Sequence, residues 1–111
     1  MPRYVPKKGD FITLSFDPQT RHEQKGRRPA LVVSNDLFNR HTGLAIVCPI
    51  TNSDRGFPFH LAVPAAASLS GFVMVEQLKS VDDTMRGAKF LRRAGTEFVD
   101  DVLDLIDACI R

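Results

Sequence analysis

Apolar positions along the chain fall into short runs separated by turn-forming residues. Phe11-Ile12-Thr13-Leu14-Ser15-Phe16 puts Ile12, Leu14 and Phe16 on one face and Thr13 and Ser15 on the other, the two-residue period of a strand. Asp17-Pro18-Gln19-Thr20 reads as a turn, and a polar loop runs on from Arg21 to Arg28. Ala30 to Ser34 is a second strand, after which Asn35 or Asp36 can cap a single helical turn reaching His41. Leu44 to Thr51 is nearly all apolar and predicts a central strand buried on both faces. Pro49 within it has no amide hydrogen for a ladder, so a bulge or an edge is expected there. A short strand follows within 57–63, then a loop with room for a helical turn over 64–71. Residues 72–81 read as one continuous strand whose polar residues gather in its second half, and 88–94 as another strand.

From residue 96 the period becomes helical. Val99, Val102, Leu103, Ile106, Cys109 and Ile110 form one stripe, Asp100, Asp101, Asp104 and Asp107 cover the opposite side, and Gly95 or Thr96 caps. A series of short strands with one terminal amphipathic helix describes a mainly β chain, a small and strongly curved antiparallel sheet or barrel.

The 111 residues suffice for one domain spanning 1–111, and 43% hydrophobic with 25% charged residues is ordinary for a globular protein. Charge is unevenly spread. Residues 1–95 carry 14 Lys and Arg against 8 Asp and Glu, whereas residues 96–111 carry one Arg against five acids. A basic body of this kind favours an anionic partner. No apolar run approaches the roughly 18 residues of a membrane helix, and Met1 to Lys8 lacks the apolar centre of a signal peptide. The expected location is therefore the cytoplasm, with no membrane partner. Cys48 and Cys109 have neither metal-ligand nor disulfide spacing and read as reduced core thiols.

Candidate chemistry gathers at Glu23-Gln24-Lys25-Gly26-Arg27-Arg28-Pro29, where a charged loop runs into a strand. His22, His41 and His60 are scattered without metal-binding spacing, so no metal or cofactor is expected, and His41 and His60 are assigned no role. RNA cleavage needs neither, because the 2′-hydroxyl is a nucleophile already close to phosphorus. The enzyme must align the backbone, move two protons and stabilise the added charge. Arginine suits the charge, with a planar fork matched to phosphate, but its pKa above about 12 makes it a poor proton acceptor. Glu23, Glu76 and His22 are the candidate acceptors.

The Glu23-Gln24-Lys25-Gly26-Arg27-Arg28-Pro29 loop with its apolar continuation resembles the signature of the MazF/PemK toxins, ribosome-independent mRNA interferases. The likeness continues through Gly9-Asp10, Phe16-Asp17-Pro18, Phe38-Asn39, Pro49-Ile50-Thr51, Glu76-Gln77-Leu78-Lys79-Ser80-Val81-Asp82 and Arg86-Gly87, over nearly the whole chain. The resemblance implies an SH3-like barrel and a metal-independent, sequence-specific endoribonuclease that leaves a 2′,3′-cyclic or 3′ phosphate and a 5′-hydroxyl. It implies that Arg28 and Thr51 contact the scissile phosphate, with Glu23 next in rank, and that His22 and Glu76 are candidate proton-transfer groups. Candidate RNA-binding residues are Gln24, Arg27, Asn39, Asn52, Ser53, Arg55, Phe57, Gln77, Lys79 and Arg86, with Phe57 as a stacking platform. Implied partners are single-stranded RNA, a second copy of the chain, and a cognate antitoxin whose acidic, partly apolar tail covers the groove.

Two departures stand out. Arg27 occupies a place where relatives often have a small, apolar or His residue, and Asn52 stands where some have a second hydroxyl. The competing reading is a non-catalytic toxin of the topoisomerase-poisoning type, or a nucleic-acid-binding module, on the same fold.

Overall fold

A computed structural model describes residues 4–15, 27–53 and 56–111. The strands are β1 (Asp10–Ser15), β2 (Arg27–Val32), β3 (Leu44–Thr51), β4 (His60–Ala62), β5 (Phe72–Met74), β6 (Lys79–Asp82) and β7 (Lys89–Arg93), with helices α1 (Asp36–Thr42) and α2 (Thr96–Ile110). All pairings are antiparallel. The sheet runs β4-β5-β3-β2-β1-β7, and β6 also pairs with β3.

The centre of the sheet is buried on both sides. Phe11, Leu31, Val33, Cys48 and Ile50 point one way and pack with Val63, Val73, Val75 and with Phe98 and Val102 of α2. Ile12, Leu14, Ala30, Val32, Ala45 and Val47 point the other way, with Val81. This is the alternation of a pleated strand applied where neither face meets water. Asn35 caps α1, its side chain accepting the Phe38 amide hydrogen at 2.9 Å, and Gly43 ends the helix in the left-handed region at φ 72°.

Pro49 marks a change of partner. One edge of β3 pairs with β6 from Leu44 to Val47 and with β5 at Ile50 and Thr51. The proline lies between the two ladders, where its missing amide hydrogen costs no bond on that edge. The single strand expected over 72–81 is correspondingly broken. Its two ends serve different stretches of β3, and the 3-10 turn Val75–Gln77 takes up the residues by which the two registers differ. No ladder joins β4 to β7 among the described residues, so the expected barrel is an open, forked sheet, because β3 divides its outer edge between two partners.

Helix α2 buries Phe98, Val99 and Val102, but its apolar stripe outruns the sheet beneath it. Ile110 is 77% exposed and Cys109 is exposed, which corrects the core role expected for that thiol. Among the described residues, no helix is long and apolar enough to cross a membrane.

Candidate active site

Strand β2 begins at Arg27, so both arginines belong to a strand and not to the loop expected over 21–28. Alternation sends them to opposite faces. Arg27 lies on the side of Thr13 and is held there, its Nη2 donating to Thr13 O at 3.1 Å, Thr13 Oγ1 at 2.9 Å and Gly87 O at 2.6 Å. Gly87 has φ 63°, and a Cβ there would stand 3.2 Å from Arg27 Nη1. Arg27 is thus an anchor between β1 and the turn before β7 through Nη2, while its Nε and Nη1 hydrogens have no acceptor among the described residues. Arg28 is exposed, is paired in register with Leu14, and has no side-chain partner among the described residues.

Thr51 ends β3 at a half-buried position. Its Oγ1 accepts the Ser53 amide hydrogen at 3.2 Å, which orients the hydroxyl and leaves its own hydrogen available for donation. Gly71, at φ 132°, crosses close behind it; a Cβ there would come within 2.8 Å of Thr51 O and 2.7 Å of Ile50 Cγ2. Only glycine lets β5 reach the end of β3 so closely.

Register relates the two residues. The β2–β3 ladder ends at Ala30↔Pro49, and the same register carried two positions further sets Arg28 opposite Thr51. Both then share a face with Ala30 and Val47. Across β5 that face continues through Phe72, opposite Thr51, to Ala62, and the adjoining row holds Met74 and His60.

Glu76 sits in the 3-10 turn after β5, and its Oε2 lies 2.8 Å from His60 Nε2. The imidazole is nearly enclosed, with 3% of its side chain exposed against 30% for Glu76. The ring of Phe57, itself half exposed, lies 5.1 Å from the imidazole at a 54° tilt. His60, which the sequence leaves without a role, therefore belongs to this cluster. No local motif signals it, because the pair is made by β4–β5 pairing.

Of the remaining candidates, Asn52, Ser53, Gln77 and Lys79 are exposed. Arg86 is half-buried and donates to Ser15 O at 3.3 Å. Asn39 is 2% exposed; its amide donates to Pro6 O at 2.7 Å and Ser34 O at 3.2 Å, and its oxygen accepts from the Ser34 hydroxyl. It ties α1 to the N-terminal segment and is a core residue, not a groove residue. His22, Glu23, Gln24 and Arg55 lie outside the described residues. Burial, then the charge of Glu76, then Cys109 push the Cys48 thiol up to about 12, which removes it as a nucleophile near neutrality. Among the described residues, no three His, Cys, Asp or Glu side chains gather to hold a metal ion.

Known proteins resemble this chain in sequence and in fold. Residues 7–110 match the family described as PemK-like, MazF-like toxin of type II toxin-antitoxin system. The chain is 38% identical over 86 residues to the endoribonuclease toxin MazF of Escherichia coli K12, covering 78% of this chain and 77% of that one. It is 35% identical over 104 residues to the endoribonuclease PemK of Escherichia coli, covering 87% and 76%. A crystal structure of MazF from Deinococcus radiodurans superposes with a TM-score of 0.86 at 38% identity, over 97% of this chain and 98% of the other. A MazE–MazF crystal structure from the same organism gives 0.87 at 36% identity, over 96% and 97%. With the fold and nearly the full length in agreement, the chain belongs to the PemK-like, MazF-like toxins of type II toxin–antitoxin systems.

Proposed function

We propose that this chain is a sequence-selective endoribonuclease that cleaves single-stranded mRNA without a metal, as the toxin of a toxin–antitoxin pair. The observation that carries the reading is the exposed Arg28 guanidinium, without a partner among the described residues, on the strand whose register, carried two positions past its last pair Ala30↔Pro49, points to Thr51. A bound phosphodiester placed between them takes two guanidinium hydrogens and one hydroxyl hydrogen on its non-bridging oxygens. These donors are strongest as the phosphorus gains its fifth oxygen, so they lower the barrier more than they tighten the ground state. The 2′-oxygen bonds to phosphorus as the bond to the 5′-oxygen breaks. The 2′-hydroxyl hydrogen passes to a carboxylate, Glu76 or Glu23, and the 5′-oxygen takes a hydrogen from solvent. A 2′,3′-cyclic phosphate (or its hydrolysed 3′ form) and a 5′-hydroxyl result.

Endoribonuclease names on the E. coli relatives support the activity, and MazE–MazF complexes support an antitoxin partner. We place the chain in the cytoplasm, where mRNA is its substrate, and as a homodimer whose groove both copies share. Incubating the pure protein with a long single-stranded RNA in EDTA tests this reading. Discrete cuts whose 5′ ends accept a kinase-transferred phosphate without prior dephosphorylation are the expected result. Intact RNA would favour the non-catalytic binding toxin.

A further inference from the structure

We propose that His60 is a positioning residue that holds Glu76 as the acceptor of the 2′-hydroxyl proton, an inference that rests on the cleavage reading above. His60 Nε2 stands 2.8 Å from Glu76 Oε2 in a site where the imidazole is almost sealed from solvent. Its other nitrogen, Nδ1, is buried and has no hydrogen-bond partner among the described residues. A hydrogen on Nδ1 would be an orphaned buried donor and would leave a lone pair on Nε2 facing a carboxylate. The hydrogen is assigned to Nε2 on that ground, where it is donated to Oε2.

The consequence falls on Glu76. One carboxylate oxygen is committed to the imidazole, while Oε1 has no partner among the described residues on a side chain that is 30% exposed. Phe57 packs on the imidazole and β4–β5 pairing fixes His60 beside Met74, so the ring is held from two directions. The carboxylate is thereby kept in one orientation with one oxygen left to take a proton. Oε1 receives the 2′-hydroxyl hydrogen as the new phosphorus–oxygen bond forms, and releases it to solvent after the 5′-oxygen has been protonated.

Single-turnover cleavage of a single-stranded RNA by His60→Leu, His60→Gln, Glu76→Gln and the His60→Leu/Glu76→Gln double variant tests the proposal. His60→Leu is expected to slow the step at saturating protein about 10-fold or more, with RNA affinity unchanged. His60→Gln, which keeps an N–H donor, should recover most of that loss. In the Glu76→Gln background His60→Leu should cost nothing further, because its effect passes through the carboxylate. Multiplicative losses in the double variant, a wild-type rate for His60→Leu, or a loss seen only in affinity or melting temperature would each overturn it. Should His60→Leu not fold, His60→Phe, a ring without the N–H, makes the same comparison in the two Glu76 backgrounds, and a wild-type rate or a loss independent of Glu76 overturns the proposal. A wild-type protein that leaves RNA intact defeats the cleavage reading itself, whereas an active Glu76→Gln beside an inert Arg28→Ala defeats only the role given to His60.

Discussion

Asp10 and Glu76 are both carboxylates held by neighbouring elements, yet their surroundings differ in kind. Asp10 is 2% exposed and bonded on both oxygens: Arg93 Nη1 donates to Oδ1 at 2.8 Å, and the Lys7 amide at 3.0 Å and the Tyr4 hydroxyl both donate to Oδ2. This cluster joins the N-terminal segment, β1 and β7 and leaves nothing to offer a ligand. Among the described residues Glu76 has a single partner and a spare oxygen near solvent. A similar contrast separates Arg27, whose Nη2 is held by Thr13 and Gly87, from exposed Arg28 beside it. Polar groups tied to several neighbouring elements hold the fold. Polar groups at the strand ends with capacity left over are where a substrate can be held.

The comparison breaks if the closed cluster proves catalytic or the open one structural. Asp10→Ala orphans the Tyr4 hydroxyl and the Lys7 amide, while Arg93 is left facing solvent, and should cost about 1–3 kcal/mol of stability with the rate per folded molecule unchanged. Chemical denaturation alongside activity measures both. Thr51→Ala should slow the chemical step by about 10- to 100-fold while weakening RNA binding much less. Single-turnover rates against RNA concentration separate these effects, and the reverse split would assign Thr51 to binding.

Tyr4→Phe should cost about 1–2 kcal/mol and change the alkaline limb of stability. Burial first, then the hydrogen bond to Asp10 and its charge, push the Tyr4 hydroxyl well above its ordinary 10.0. The folded form therefore favours the neutral phenol. Its contribution is whole below pH 10 and is lost as the pH rises towards the folded-state value. Unfolding titrations should show a decline above pH 10 in the wild type and a shallower one in the variant. The smallest effect is on the thiols: iodoacetamide on the native protein should label exposed Cys109 and spare Cys48, whose thiol lies at about 12.

Much of the fold is legible because it is written locally. Alternation in Phe11–Ser15, the Asn35 cap, the apolar run Leu44–Thr51 and the helical stripe from Val99 each carry their own signal. What is not legible depends on pairing between distant strands. The break inside 72–81 arises because β3 demands two registers, which no window over those residues contains. Arg27 and Arg28 look alike in sequence, and only the start of β2 decides which one faces Thr13. Asn39 is polar in a short surface helix, yet its contacts to Pro6 and Ser34 bury it. His60 gains its meaning from Glu76 across β5, so spacing could not find it.

The central claim is that Arg28, and not its neighbour, serves the scissile phosphate. Arg27→Ala and Arg28→Ala, compared by single-turnover RNA cleavage and by melting temperature, test it directly. The account predicts that Arg28→Ala melts with the wild type and loses about 10²–10³-fold or more in rate, while Arg27→Ala melts lower and still cuts at a near wild-type rate per folded molecule. An Arg28→Ala protein that cleaves normally, or an Arg27→Ala protein that melts normally and is inert, would contradict it.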